Sequence, residues 1–153
     1  MSTAEVQSTD PTHSLLLEGV FGAVVQAGCN KSSLLSSTTA MLLGICNVAD
    51  WGQLQRDQAK QGGVFGAHGS DGGAAAGRVS YLFGLKGPCY SVNTACSSSL
   101  VALDAASQNI QLHTCQSAIV GGAALHLHAG SFVAFCALHA LSVNGQCKTF
   151  DSR

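Results

Sequence analysis

The chain has 153 residues, a formal net charge of −1, and only 10% charged residues against 46% hydrophobic ones. The near-zero net charge gives no electrostatic basis for binding nucleic acid or an anionic membrane, and no apolar stretch runs long enough without interruption to span a bilayer. Ordinary soluble domains contain about 25% charged residues. So low a charged fraction predicts that much of the surface is covered by more protein or by a partner.

The seven cysteines bear on the compartment of the protein. Their number is odd, no two are spaced as Cys-x-x-Cys, and no secretory signal opens the chain. This pattern favours reduced thiols over a disulfide framework. We therefore expect a cytoplasmic protein, with an organelle as an open alternative.

A helix is the first element that the sequence predicts. Residues 1–9 are polar, and we expect them to be loosely held. Asp10 suits a helix N-cap and Pro11 suits the first helical position. An apolar run over residues 15–27 follows, and Gly28 suits the C-terminal stop.

The next region passes from a predicted strand to a second helix. Residues 41–46 form an apolar run of strand length, and residues 50–63 are polar and expected to cover the surface. Residues 66–77 are rich in glycine and alanine and lead into a predicted helix at residues 78–83. They match neither phosphate-binding glycine pattern, so close backbone packing is favoured over nucleotide binding.

Cys96 lies where a predicted strand meets a predicted helix. The strand covers residues 89–95, and the helix begins near Ser97. Three apolar residues of this helix are spaced to bury one face: Leu100, Leu103 and Ala106. The positive end of a helix dipole favours a thiolate, which is the stronger nucleophile. On this placement alone, Cys96 can be either a nucleophile or a small buried residue.

The last third of the chain predicts two strands and a helix. Residues 117–120 and 123–127 read as strands separated by Gly121 and Gly122, and residues 131–141 read as a short helix.

Two spacings in the last third would suit a metal ion. His126 and His128 would share one face of the second strand, and Cys136 and His139 have ligand-like spacing. Neither pair has the further ligands that a zinc site needs, so we expect no metal.

Five segments carry a more specific signal, and they occur in one order along the chain. They are residues 10–18 (Asp-Pro, then Leu-Leu-Leu-Glu), 77–88, 93–103 (Asn-Thr-Ala-Cys-Ser-Ser-Ser-Leu-Val-Ala-Leu), 118–122 and 141–151. Together they resemble the β-ketoacyl synthases, the condensing enzymes of polyketide and fatty acid synthases. Among these enzymes, the five segments are more similar to the ketosynthase domains of modular polyketide synthases than to stand-alone fatty acid enzymes.

The resemblance implies an α/β fold, the N-terminal half of the layered α-β-α-β-α thiolase-like fold of condensing enzymes. Residues 1–153 have no counterpart of the family's first strand or of its C-terminal half. That half holds two catalytic histidines and a lysine. None of the six histidines here lies in a segment that resembles the catalytic histidine motifs. We therefore expect residues 1–153 to form a partial ketosynthase domain.

The resemblance also implies a chemistry. Cys96 would be the nucleophile that forms an acyl-enzyme, with its own backbone amide in the oxyanion hole. The acyl and malonyl-type thioesters would be presented on the phosphopantetheine of an acyl carrier protein. They would undergo decarboxylative Claisen condensation, an acyltransferase reaction of polyketide or fatty acid biosynthesis. Asn93 stands where the family more often has Asp and can keep a local hydrogen bond.

The resemblance further implies which partners and groups take part. It predicts no directly bound cofactor, and a homodimer formed through the strand before Cys96. Condensation would need the family's C-terminal groups, so residues 1–153 are not expected to condense substrates alone.

Two other functions stay open on the sequence. The chain could be a truncated or decayed ketosynthase segment that acts as an interaction piece. A cysteine hydrolase would instead need a histidine placed on Cys96. His113 lies about one helix length downstream, so it cannot reach back if that helix is continuous.

Overall fold

The computed structural model describes residues 2–46, 49–57 and 65–152, and these contain eight helices and three strands. The helices are α1 (Thr3–Ser8), α2 (Pro11–Gln26), α3 (Lys31–Leu34), α4 (Ala49–Asp57), α5 (Gly66–Gly69), α6 (Gly72–Phe83), α7 (Ser98–Gln111) and α8 (Gly130–Ala137). The strands are β1 (Thr39–Ile45), β2 (Cys89–Val92) and β3 (Ser117–Ala123), and a short 3-10 turn at Ala95–Ser97 precedes α7. No helix of the described residues is both long and apolar enough to cross a membrane.

The three strands form a parallel sheet in the order β2-β1-β3. Strand β1 lies in the centre, and all seven of its residues are buried. A parallel strand covered on both faces needs apolar residues at every position rather than at alternate ones. The strand predicted at residues 41–46 is therefore confirmed. It begins two residues earlier than predicted, at Thr39, and ends at Ile45.

Helices cover both faces of the sheet, which confirms the α/β fold. On one face, α2 and α6 pack over Met41, Leu43 and Ile45. On the other, α7 packs over Ala40 and Leu42. Successive side chains of a strand point to opposite faces, so β1 supplies both cores.

The prediction for the start of the chain is half right. Helix α2 begins as expected, since Asp10 Oδ1 accepts a hydrogen bond from the Thr12 amide at 2.8 Å, and Gly28 follows the helix at φ +72°. The expectation that residues 1–9 are loosely held is wrong for residues 3–8, which form α1, and residue 1 lies outside the described part. An ion pair between Glu5 and Arg78, 2.6 Å long, ties α1 to α6.

Three further boundaries differ from the prediction. Helix α6 begins at Gly72 rather than at residue 78, because Asp71 accepts a hydrogen bond from the Gly73 amide and caps it there. Strand β3 continues through both glycines, and residues 124–127 form no strand. The polar segment 50–63 is helical as far as residue 57, and residues 58–63 lie outside the described part.

The predicted buried face of α7 is right for Ala106 and wrong for the two leucines. Leu100 and Leu103 are 69% and 55% exposed, whereas Ser98, Ala102 and Ala106 are at most 4% exposed. These three small residues recur every four positions and so share one side of the helix. Small side chains on that side let α7 lie close to the sheet, which leaves the leucines facing outward.

Candidate functional site

Cys96 lies in the sharp turn that joins β2 to α7, at the junction that the sequence predicts. The strand ends at Val92 and the helix begins at Ser98. Between them Ala95 takes a φ of +55°, a left-handed conformation that costs a residue with a Cβ roughly 1–2 kcal/mol. This conformation reverses the chain direction within one residue and leaves the Cys96 side chain exposed.

Ser98 holds this turn from inside. Its hydroxyl oxygen accepts a hydrogen bond from the Thr94 amide at 2.9 Å, and its hydroxyl donates to the Ala95 carbonyl oxygen at 2.6 Å. Ser98 is 4% exposed, so water competes little for these bonds. One buried side chain that follows Cys96 therefore holds the backbone of the two residues that precede it.

Asn93 supports the same turn from the strand side. Its Oδ1 accepts a hydrogen bond from the Ala95 amide at 3.1 Å, the pattern of an Asx-turn. This is the local hydrogen bond expected for Asn93. This hydrogen bond stabilises the turn where the backbone takes the left-handed conformation at Ala95.

A cavity of about 460 Å³ lies beside Cys96 at the carboxyl ends of the three strands. In open parallel sheets, ligands bind at this edge, and small-ligand sites occupy roughly 300–1,000 Å³. The cavity is lined by small, uncharged side chains: Gly44, Cys46, Ala95, Cys96, Ser98, Ser99, Gly122, Ala123 and Ala124.

Two glycines allow α7 to begin this close to the sheet. A Cβ on Gly44 would lie 2.4 Å from backbone atoms of Ser98 and Ser99, and a Cβ on Gly122 would lie 2.8 Å from the Ser99 Cβ. The role of Gly44 was not predicted from the sequence. A glycine inside an apolar strand could have indicated it, because such a glycine often marks the close approach of another backbone.

One family model matches the chain over its whole length. It is the model for the beta-ketoacyl synthase N-terminal domain, and it matches residues 1–153. The chain belongs to this family. Cys96 thus stands in the turn of a ketosynthase N-terminal domain, and the resemblance found in the five sequence segments is confirmed.

Curated relatives identify the type of ketosynthase. The chain is 40% identical over 152 residues to a highly reducing polyketide synthase from Nectria sp, covering 99% of the chain and 6% of that protein. It is 34% identical over 151 residues to polyketide synthase GfsA from Streptomyces halstedii, covering 99% of the chain and 2% of that protein. The ketosynthase chain therefore spans only a few per cent of the length of these relatives.

Solved structures confirm the thiolase-like fold class. An oxazolomycin ketosynthase domain from Streptomyces albus superposes with a TM-score of 0.86 at 27% identity, over 99% of this chain and 26% of that one. The ketosynthase from module 6 of the bacillaene synthase of Bacillus subtilis 168 superposes with a TM-score of 0.79 at 33% identity. That match covers 92% of this chain and 23% of that one.

None of the six histidines, all of which lie in the described part of the chain, borders the cavity beside Cys96. His113 follows α7, whose 14 residues span about 21 Å, so it cannot act on the cysteine. His126 and His128 do not share a strand face, because their segment is not a strand. Instead His128 Nδ1 accepts a hydrogen bond from the Gly130 amide at 2.9 Å. Among the described residues, no three His, Cys, Asp or Glu side chains gather to hold a metal.

Asp50 is a positioning residue that the sequence analysis placed on the surface. It is 6% exposed, and its Oδ2 accepts a hydrogen bond from the Leu127 amide at 3.2 Å and one from the Ser131 hydroxyl at 3.4 Å. It thereby links α4 to the segment that follows β3, which begins at Ala124 on the border of the cavity.

The seven thiols differ in their surroundings, and none of them is in a disulfide. Cys115 is buried, whereas Cys89, Cys96, Cys136 and Cys147 are exposed. Although Cys89 is exposed, partial desolvation raises the pKa of its thiol, against the opposing hydrogen bond from Ser80. A higher pKa leaves less thiolate at neutral pH, so Cys89 is a poor competitor of Cys96 for electrophiles.

Proposed function

We propose that Cys96 is the acyl-accepting nucleophile of a β-ketoacyl synthase reaction. The observation that carries the proposal is an exposed thiol in the turn before α7, beside an uncharged cavity of about 460 Å³. The helix dipole favours the thiolate at this end. The thiolate attacks the carbonyl carbon of an acyl thioester, the carrier thiolate leaves, and a new thioester forms on Cys96.

The proposed oxyanion hole includes the backbone amide of Cys96. The first amides of a helical segment have no partner within it, and they point towards the charge that develops on the thioester oxygen. The proposal is supported by the rigid turn, in which Ser98 holds Thr94 and Ala95 in place. A donor that is already oriented stabilises the oxyanion without reorganisation during the reaction.

The proposed substrates are acyl and malonyl-type thioesters on the phosphopantetheine of an acyl carrier protein. This assignment rests on the polyketide synthases among the relatives and on the family match. We propose that the complete reaction, a decarboxylative Claisen condensation, requires the family's two histidines and lysine in addition to residues 1–153. With those groups the protein is an acyltransferase of polyketide or fatty acid biosynthesis.

A loading assay tests the proposal. The chain is incubated with an acyl thioester and a malonyl-loaded carrier protein, and both proteins are analysed by mass spectrometry. We expect one acyl group on Cys96, none on the Cys96→Ala variant, and full loading of the matched control Cys147→Ala. Equal loading of several cysteines contradicts the assignment of Cys96, and absence of any loading favours the non-catalytic interaction piece. A condensed product from this chain alone contradicts the need for further groups.

We also propose that the complete ketosynthase forms a homodimer through β2. This strand lies at an edge of the described sheet, with Cys89 and Tyr90 exposed. An unpaired strand edge is a template for pairing with another strand. A monomeric mass of the complete domain in light scattering would contradict this proposal.

A further inference from the structure

Cys46 is a second thiol on the cavity of Cys96, and nothing in the acyl-transfer chemistry uses it. It follows directly after β1 and is partly exposed. Both cysteines line the same cavity. The other five cysteines do not border it.

The strand topology places the two thiols at the same end of the sheet. Gly44 and Val92 form the last pair between β1 and β2, and Cys46 directly follows β1 while Cys96 follows β2 by four residues. Helix α7 begins over Gly44, because a Cβ there would lie 2.4 Å from the backbone of Ser98 and Ser99. Both cysteines therefore border the cavity between the end of β1 and the start of α7.

We propose that Cys46 and Cys96 form a reversible disulfide that closes the site under oxidising conditions. A disulfide needs Cα atoms roughly 4.4–6.8 Å apart, and the proposal requires these two residues, which border one cavity, to come within that distance. The role of the bond as a block on acyl loading rests on the proposed function of Cys96. The bond itself requires only the two thiols.

The oxidant is hydrogen peroxide. The Cys96 thiolate attacks one peroxide oxygen, the O–O bond breaks, and hydroxide leaves, which gives a sulfenic acid. The Cys46 thiolate attacks that sulfur, the S–O bond breaks, and the oxygen leaves as hydroxide, which takes up a proton to become water. The two sulfurs together lose two electrons, which the peroxide gains, and a dithiol later returns them by exchange.

The disulfide has two consequences for the protein. It removes the nucleophile from the site, and it diverts the sulfenic acid from further oxidation to sulfinic acid, which thiols do not reverse. Cys46 is therefore the resolving cysteine of the pair.

Peptide mapping tests the bond in the whole chain. The protein is treated with hydrogen peroxide, blocked with N-ethylmaleimide and digested without reduction. Trypsin releases Cys46 as the only cysteine of residues 32–56, and chymotryptic cleavage after Tyr90 and Leu100 isolates Cys96. We expect a linked pair of these peptides, two hydrogen atoms lighter than their sum, that dithiothreitol separates. Absence of this pair, or equal linkage of Cys96 to several cysteines, overturns the proposal.

Two variants test the protective role of Cys46. In Cys46→Ser, peroxide should leave Cys96 as a sulfenic acid that dimedone traps, and prolonged exposure should cause a loss of alkylation that dithiothreitol does not restore. The matched control Cys136→Ser should recover as the wild type does. Full recovery in Cys46→Ser overturns the proposal. The mapping of the wild-type chain decides the question independently if the variant does not fold.

The acyl-loading assay separates this inference from the proposed function. A Cys46–Cys96 disulfide in a chain that accepts no acyl group supports the redox pair and contradicts the acyl-transfer role. A chain that loads an acyl group on Cys96 equally well before and after peroxide treatment contradicts the redox pair and supports the acyl-transfer role.

Discussion

Ser98 shows how one residue can determine the geometry of a reactive neighbour. Its hydroxyl both accepts and donates within the turn of Cys96, so its loss would leave the Thr94 amide and the Ala95 carbonyl without this partner. The sequence indicated a hydroxyl-rich helix start but not which of three consecutive serines would be buried. That choice depends on which of them faces Gly44, and this contact arises only when the strand and helix are assembled.

We predict that Ser98→Ala lowers the free energy of unfolding by about 1–3 kcal/mol, because two hydrogen bonds of the turn are lost and each contributes roughly 0.5–1.5 kcal/mol. We also expect slower alkylation of Cys96, since the turn loses its fixed geometry. Urea unfolding and timed iodoacetamide labelling measure the two effects. Ser107→Ala, at an exposed position of the same helix, should change neither, and an equal effect of both variants would contradict the role of Ser98.

His13 is the one buried histidine among the six, all of which the structure describes. Its side chain is 2% exposed and its Nδ1 has no hydrogen-bond partner. Burial and the nearby Arg78 hold the pKa of His13 below its ordinary value of 6.5, while Asp10 and Asp71 act in the opposite direction. The neutral ring is therefore the form that the fold accommodates.

We predict that His13 makes the protein less stable in acid below about pH 6.5. Above that pH the ring is neutral in both the folded and the unfolded chain, so it adds no pH dependence. Below it the unfolded chain takes up the proton first, and the free energy of unfolding falls as the pH is lowered.

Denaturation midpoints between about pH 7.5 and 5.5 measure this dependence, since most carboxylates stay charged over that range. We expect His13→Gln to flatten the slope and the exposed control His113→Gln to retain it. An unchanged slope in His13→Gln would contradict the assignment.

At the scale of elements, the closeness of α7 to β1 was the feature that the sequence did not reveal. Helical periodicity placed Leu100 and Leu103 inside because they are the largest apolar residues of the helix. In the structure the small residues of α7 face the sheet instead. The helix lies so close to β1 that its backbone occupies the position that a Cβ on Gly44 would take. Periodicity predicts that the helix exists and that it begins near Ser97. Which side of the helix faces the sheet depends on how large the side chains of the opposing strand are.

We predict that Gly44→Ala destabilises the fold by about 1–3 kcal/mol, the usual cost of inserting a methyl group into a packed interior. The new Cβ would contact backbone, which cannot rotate away. Gly22→Ala in α2 is the matched control, because nothing lies within 4 Å of its added Cβ. That change should stabilise the helix by roughly 0.5–1 kcal/mol. Thermal unfolding should therefore shift in opposite directions, and a shift in the same direction would contradict the packing described.

For the molecule as a whole, the low charged fraction predicts that much of the surface is covered by more protein or by a partner, and the structure exposes many apolar side chains that such a contact could cover. Exposed apolar side chains occur on several helices, among them α2, α7 and α8: Leu15, Phe21, Val25, Leu100, Leu103, Phe132, Val133 and Phe135. The sequence could predict that such a surface exists. It could not predict its position, because the leucines of α7 belong to it only through the orientation of that helix.

We predict that the 153-residue chain associates as its concentration rises, because association removes apolar surface from water. Replacing Leu100 and Leu103 together by Gln should reduce the association, and it should change the free energy of unfolding little since both positions are exposed. Sedimentation velocity over a range of concentrations measures the first effect and urea unfolding the second. Identical sedimentation of the variant and the wild type would place the associating surface elsewhere.

The parallel sheet has a consequence for how the chain folds. Strand β1 pairs with residues that lie 48 and 78 positions further along, at Met41 with Cys89 and at Thr39 with Ser117. During synthesis the most apolar strand therefore emerges long before either neighbour exists. Pairings between distant segments form slowly and leave unpaired strands prone to aggregation in the meantime. The central strand that stabilises the finished protein is thus its most vulnerable segment on the ribosome.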